Sequence, residues 1–504
     1  VNDRWAPVAG NLTNEVGPDQ TGGVTGGGTE MATAGSEPGS LGARGERGAL
    51  GPVPLGAVLA IVGVVFVVLR ARSALVVHQV WGDMPDSIGY RGTPGGPTTG
   101  LVSLTGDAIR PWTVPALYAA VGSDAARAAA QVGASIVAWL ALALVVARQV
   151  TRPALAAGAF VTLLGVACTW GVIVWDLAIL AESLALSLGV GLVAAWVCHL
   201  ARPSWLTAAM VVGLSTLWLF TRLQHLPVIA AAALAALVLA LGPHRRAVGA
   251  ATAVGLVALT AWGFAVLGPQ DRAYAARDGH DVSLFGETFA LNLRFVILPD
   301  AEATRWFRDR GMPDPVGLEA HPRADTIHVD AWETWPDFFS RYRADADLRS
   351  WVESDGRRAF TEWTVANGPG LAMRFGSEVD EVLVPPASSL GYAFPEPILP
   401  GPVAALVAPE AGSGRVPFVV LLVLVIGAGL TARRRVRGSR PLLGVGAATL
   451  ALSGAGLFLA WLGSPVEYAR HAVPFSVLLP VGALLVLLAM WDGPGAPVPD
   501  DDAD

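Results

Sequence analysis

Long apolar runs alternate with polar connections along most of this chain. Runs at 51–69, 125–147, 154–174, 177–199, 204–221, 226–242, 248–267, 416–432, 441–463 and 472–491 each predict a helix. Most are long enough to cross about 30 Å of hydrocarbon at about 1.5 Å per residue, with 226–242 at the lower limit. Two long polar stretches interrupt the series, at 70–124 and 268–415. In the first, Leu101–Tyr118 mixes apolar and polar positions and is broken by Pro111 and Pro115, which suits short helices lying along a membrane surface. The second is charged and carries Trp306, Trp332, Trp335, Trp351 and Trp363. Its pieces Ala301–Arg310 and Asp337–Asn367 have helical spacing of aromatics and charges, and Pro385, Pro386, Pro395, Pro397 and Pro400 predict an extended return to the membrane.

The pattern predicts an all-α polytopic membrane protein of about ten transmembrane helices with a mainly helical extracytoplasmic insertion. Residues 1–48 are rich in Gly, Thr, Ser and Glu, lack periodicity, and read as a disordered cytoplasmic tail. Residues 49–267 hold helices one to seven and the loop 70–124. The insertion 268–415 follows, then the last three helices over 416–491, then an acidic cytoplasmic tail at 492–504. No tandem repeat is present. The first apolar run reads as a retained helix, not a cleaved signal, and Met31 is an alternative start to Val1.

Composition agrees with this class. The chain has 504 residues, 53% apolar and 15% charged, with a mean hydropathy of +0.52. The net charge of -7 owes much to the tail Asp500–Asp504 and the central polar block, and no nucleic-acid partner is expected. Lysine is absent, so every strong cation is arginine; with the abundance of Ala, Gly and Val this codon bias fits a GC-rich, actinobacterial genome. Cys168 and Cys198 fall in predicted helices and read as free core thiols.

Arginine placement sets the expected orientation in the cell membrane. With both termini cytoplasmic, the inner connections hold Arg44, Arg47, Arg148, Arg152, Arg202, Arg245, Arg246 and the cluster Arg433–Arg440, while both long polar stretches lie outside. Arg70 and Arg72, at the outer end of the first helix, count against this orientation. It gathers ionisable residues of both signs at the outer face: Asp83, Asp86, Asp176, Glu182, Arg222, His225, Glu467, Arg470 and His471. Charges at a membrane are costly, so each needs a partner or a function.

Each of these has a plain and a chemical reading. Asp83 and Asp86 are either turn residues or general bases that take a proton from a hydroxyl, with Asp86, in Asp-Ser-x-x-Tyr ending at Tyr90, the first choice. Asp176 is either the N-cap of the fourth helix or a ligand contact. Glu182, about 9 Å further along that helix, either pairs with a buried arginine or binds a substrate hydroxyl. Arg222 and Arg470, with His225 and His471 beside them, either pair with Glu182 and Glu467 or grip a phosphate, for which the guanidinium fork is well shaped. The tryptophans of the insertion read as core or interface belt before sugar platforms. Phosphate-loop, His-Glu-x-x-His, Cys-x-x-Cys and Asp-x-Asp patterns are absent, so no residue pattern calls for nucleotide hydrolysis, a bound metal or another cofactor.

The layout resembles the GT-C superfamily of membrane glycosyltransferases. The likeness rests on Asp83, Asp86 and Tyr90 after the first helix, on Arg110-Pro111-Trp112-Thr113-Val114-Pro115-Ala116-Leu117-Tyr118, on Trp175-Asp176 through Glu182-Ser183, and on Glu467-Tyr468-Ala469-Arg470-His471-Ala472-Val473-Pro474. It implies a polyprenyl-phosphate sugar donor, inverting transfer to a glycan, lipid or protein acceptor at the outer face, Asp86 or Asp83 as base, and Arg222 and Arg470 on the lipid phosphate. Many members have adjacent acids in this loop; here Met84 and Pro85 separate them. The competing expectations are a flippase for lipid-linked sugars, which inverted repeats and broken helices would accompany although the sequence shows neither and its charges sit at one face, and a non-catalytic assembly factor.

Overall fold

The computed structural model of the chain describes residues 55–76, 85–91, 103–105, 108, 110–240, 246–276, 282–315, 317–321, 334–383, 440–463 and 468–492. The apolar run 416–432, the Pro-rich return, the predicted N-terminal tail, the predicted C-terminal tail beyond Asp492, and Trp332 lie outside these residues. The described residues are helical, and no strand occurs among them. The chain is therefore an all-α protein with a membrane-spanning composition.

In order, α1 is Leu55–Val76, α2 Pro85–Arg91, α3 Thr113–Val121, α4 Asp124–Gln149, α5 Pro153–Ala167, α6 Trp170–Leu177, α7 Glu182–Ala201, α8 Trp205–Leu219, α9 Leu226–Ala240 and α10 Arg246–Ala275. Then come α11 Leu284–Asn292, α12 Ala301–Arg308, α13 Trp335–Ala344, α14 Ala346–Trp351, α15 Arg357–Ala366, α16 Gly368–Leu383, α17 Arg440–Gly463 and α18 Tyr468–Trp491. Among the described residues, six helices are long and apolar enough to cross a membrane: α1, α4, α7, α10, α17 and α18. The bent pair α5–α6 makes a seventh if it forms one span, and α8 and α9 are shorter apolar helices.

The predicted run 154–174 is not one straight helix. Thr169 adopts extended backbone, its hydroxyl bonds the Val166 carbonyl at 2.7 Å, and the chain turns by 48° before continuing as α6. A broken helix, which the apolar pattern hides, is thus present. The predicted run 177–199 also begins late: Ala178 is extended, so α7 starts at Glu182.

Helix α7 is apolar all round and largely buried, with α4, α8, α17 and α18 packed against it. Helix α1 flanks α4 and α5 and exposes most of its apolar surface, as a lipid-facing helix does. Helices α17 and α18 approach closely at a glycine pair: a Cβ on Gly446 would stand 2.9 Å from the Gly482 carbonyl oxygen. At the far end of α18 the Asp492 carboxylate accepts from the Thr151 amide at 2.9 Å, the Thr151 hydroxyl at 2.8 Å and the Arg152 amide at 3.1 Å, capping the turn that starts α5.

The helices α11 to α16 pack around Phe289, Phe307, Trp351, Phe360 and Trp363, and their core is continuous with that of α7 to α10. Ser283, Asp300 and Asp345 cap α11, α12 and α14 by accepting from the first-turn amides. Trp351 and Trp363 are core residues. Trp306 carries the Arg310 guanidinium 3.4 Å above its ring, and Trp335 stacks on Phe338 and Phe339.

Candidate functional site

Two buried polar clusters meet at the start of α7. The first is centred on Asp176. It lies in the last turn of α6, so it is not the N-cap of the helix that follows; Ala181 holds that position. Its carboxylate pairs with Arg70 of α1 and accepts from the Ser183 hydroxyl, and Arg70 also donates to Ser135 at 2.9 Å. The carbonyls of Asp176 and Ala178 accept from the Gln131 amide, each at 2.9 Å, and Tyr118 donates to the Gln131 oxygen. These bonds satisfy the backbone that the break between α6 and α7 leaves open. Burial, with Tyr90 and Glu182 close by, raises the Tyr118 phenol above its ordinary value, so it stays a neutral donor.

The second cluster is centred on Glu182, the first residue of α7. Its Oε1 accepts from Arg222 and, at 2.6 Å, from Arg470 Nε. The helix N-terminus also favours a carboxylate at this position. Arg222 follows the end of α8 in extended backbone, and its Nη1 lies 3.0 Å from His471 Nδ1. One buried carboxylate thereby orients two guanidinium groups from distant parts of the sequence. Glu182 Oε2 is buried and has no hydrogen-bond partner among the described residues.

Above Glu182 opens a cavity of about 410 Å³, in the size range of small-molecule sites. Its cationic lining is Arg110, Arg222, Arg470 and His471, and its other polar groups include Tyr90, Gln224, Gln270, Tyr274 and Glu287. Leu284, Leu291, Leu459 and Phe475 supply apolar surface. Arg110 lies over the Tyr90 ring, 5.0 Å from its centroid, and Gly89 leaves the space in which the guanidinium sits. Tyr274 donates to the Glu287 carboxylate. With Glu182 behind the lining, three guanidinium groups stand against two carboxylates, an excess of positive charge suited to an anion.

The structure thus gathers Tyr90, Glu182, Arg222, Arg470 and His471 of the sequence-derived residues. Asp86 lies on α2, one helical turn before Tyr90, and no side-chain geometry is described for it. Asp83 and Glu467 fall outside the described residues. His225 is behind the cavity: it is buried, stacks on Trp218 at 4.2 Å and sets its Nδ1 3.0 Å from the Trp218 carbonyl. Asp176 belongs to the neighbouring cluster. Arg110, Gln270, Tyr274 and Glu287 received no role from the sequence. Arg110 stood in a quoted motif, whereas Tyr274 and Glu287 come from two helices whose meeting no spacing predicts. No group of three or more His, Cys, Asp or Glu suited to a metal occurs among the described residues. Neither a family model, nor a curated protein, nor a solved structure matches this chain.

Proposed function

We propose that the chain is a membrane glycosyltransferase of the GT-C type, taking its sugar from a polyprenyl-phosphate donor at the outer face of the cell membrane. The observation that carries this reading is the cavity that joins Arg222 and Arg470, oriented by Glu182, to Tyr90 on the helix bearing Asp86. A phosphate is a fitting ligand for paired guanidiniums, and the apolar lining and surrounding helices suit a prenyl chain. The lipid phosphate is already a competent leaving group. Arginines hold charge as it departs, and Asp86, or Asp83, removes the acceptor proton as the hydroxyl attacks the anomeric carbon with inversion. The acceptor is a glycan, lipid or protein, and no nucleotide is consumed.

A flippase for the same lipids is the second reading, favoured by the 48° break between α5 and α6. The test is transfer of radiolabelled sugar from a panel of polyprenyl-phosphate donors in membranes, comparing the wild type with Asp86→Asn and Asp83→Asn at matched expression. Loss of transfer in one variant, with donor binding intact, identifies the base. Absence of transfer from every donor, with flipping of the same lipids, favours the second reading.

A further inference from the structure

We propose that the corner joining α15 to α16 is a membrane anchor, inserted among lipids at the level of the headgroups. Apart from Leu284, at 39%, the exposed large apolar side chains among the described residues of this helical block are Val365, 75% exposed, and Met373, 74%. These values match lipid-facing positions of the spans and short apolar helices, such as Val64 at 64% and Leu206 at 71%.

From 363 to 377 no exposed position is ionisable. Among the positions of α16 whose side chains are described, the exposed ones are Pro369, Gly370, Ala372, Met373, Gly376 and Ser377, and none of them is ionisable. Arg374 and Glu378, the ionisable residues described on this helix, are half-buried. Arg374 pairs with Glu378 at 2.9 Å, and Glu378 accepts from the Trp461 indole of α17 at 2.8 Å. A helix facing water carries the reverse arrangement, with charges outward and apolar groups inward. Helix α15 grades in the same direction. Its exposed residues are Arg357, Arg358, Thr361 and Glu362 in the first turns and Val365 and Ala366 at the end that meets α16.

The occupant is set by what α16 rests on. Phe375 makes edge contacts with Phe458 and Trp461, at 5.6 and 5.7 Å between ring centroids, in the last two turns of α17. Helix α17 is one of the six span-length helices, and a tryptophan near the end of a span lies at headgroup depth. Helix α16 also packs on α18, a second span. Packed on the ends of two spans, α16 stands at the depth where amphipathic helices insert, with Met373 left exposed. Because α11 of the same block lines the cavity, the anchor fixes how far Leu284 and Glu287 stand above the bilayer.

The test places single cysteines at Val365 and Met373 in a Cys168→Ala, Cys198→Ala background, labels them with bimane, and reconstitutes the full chain in phosphatidylcholine nanodiscs. Leu206→Cys is the lipid control and Glu362→Cys, one turn before Val365, the water control. Melting curves of the unlabelled variants check that each is folded. Quenching at 365 and 373 by 5-doxyl phosphatidylcholine to the extent seen at 206, with little quenching by iodide, is the expected result. Iodide quenching like that at 362 with no doxyl effect would overturn the proposal. So would shielding from both quenchers, which would mean that protein, such as a second copy, covers the corner.

Discussion

Arg70 of α1 and Asp176 of α6 form a buried ion pair between residues 106 positions apart in the chain. In the sequence, Arg70 looked like a vote against the expected orientation. Its position is explained by its partner, because an arginine held inside the bundle reports packing and not the side of the membrane it faces.

Removing one member of this pair strands the other charge in an apolar interior. Arg70→Met alone, or Asp176→Leu alone, is expected to destabilise the protein by about 3–5 kcal/mol. The double variant should recover most of that loss, since no buried charge remains. Thermal unfolding in detergent of the three variants at matched pH decides this; additive losses in the double variant would mean that the two groups are not coupled.

Arg222 uses one nitrogen toward Glu182 and another toward His471. Lysine has the charge without the fork. Arg222→Lys is expected to weaken binding of a short-chain prenyl phosphate by about tenfold or more, roughly 1.4 kcal/mol. A titration followed by tryptophan fluorescence measures it, and unchanged affinity would remove Arg222 from the anion site.

Gly456 lies against the Phe475 ring, where a Cβ would stand only 2.3 Å from Cδ1. Phe475 in turn meets the edges of Trp218 and His225 and lines the cavity. Gly456→Ala is expected to cost about 1–3 kcal/mol and to lower prenyl-phosphate affinity as Phe475 shifts. The melting temperature and the same titration report the two effects separately.

Burial raises the Tyr342 phenol above its ordinary value, with Glu353 adding to the effect. The folded state therefore keeps the proton that the unfolded chain releases near pH ~10, and stability falls as pH rises through that value. Tyr342→Phe should flatten the fall in melting temperature between about pH 9 and 11. An unchanged slope in the variant would assign the alkaline loss to other groups.

The helical class and the span-forming composition were readable because apolar runs of membrane length have few other uses in a folded chain. The break at Thr169 was not, since a hydroxyl bonding its own backbone leaves no proline or charge in the apolar pattern. For the same reason Asp176 read as the cap of the helix that carries Glu182, although extended residues between them assign each to a different cluster. The sequence offered an arginine partner for Glu182, which its burial in an apolar run required. It did not reveal that two arginines share one oxygen, nor that Tyr274 and Glu287 face the same cavity, because those relations depend on how distant helices dock.

The cap that Asp492 places on Thr151 and Arg152 bears on biosynthesis. These amides emerge from the ribosome long before their acceptor, which follows 341 residues after Thr151. Until then the turn between α4 and α5 must be hydrated or otherwise bonded, so that end of the bundle stays open during translation. Docking of α18 can complete this turn only after α4 and α5 have long been made. A chain halted just before Asp492 would hold nearly all of its apolar helices and still lack the latch.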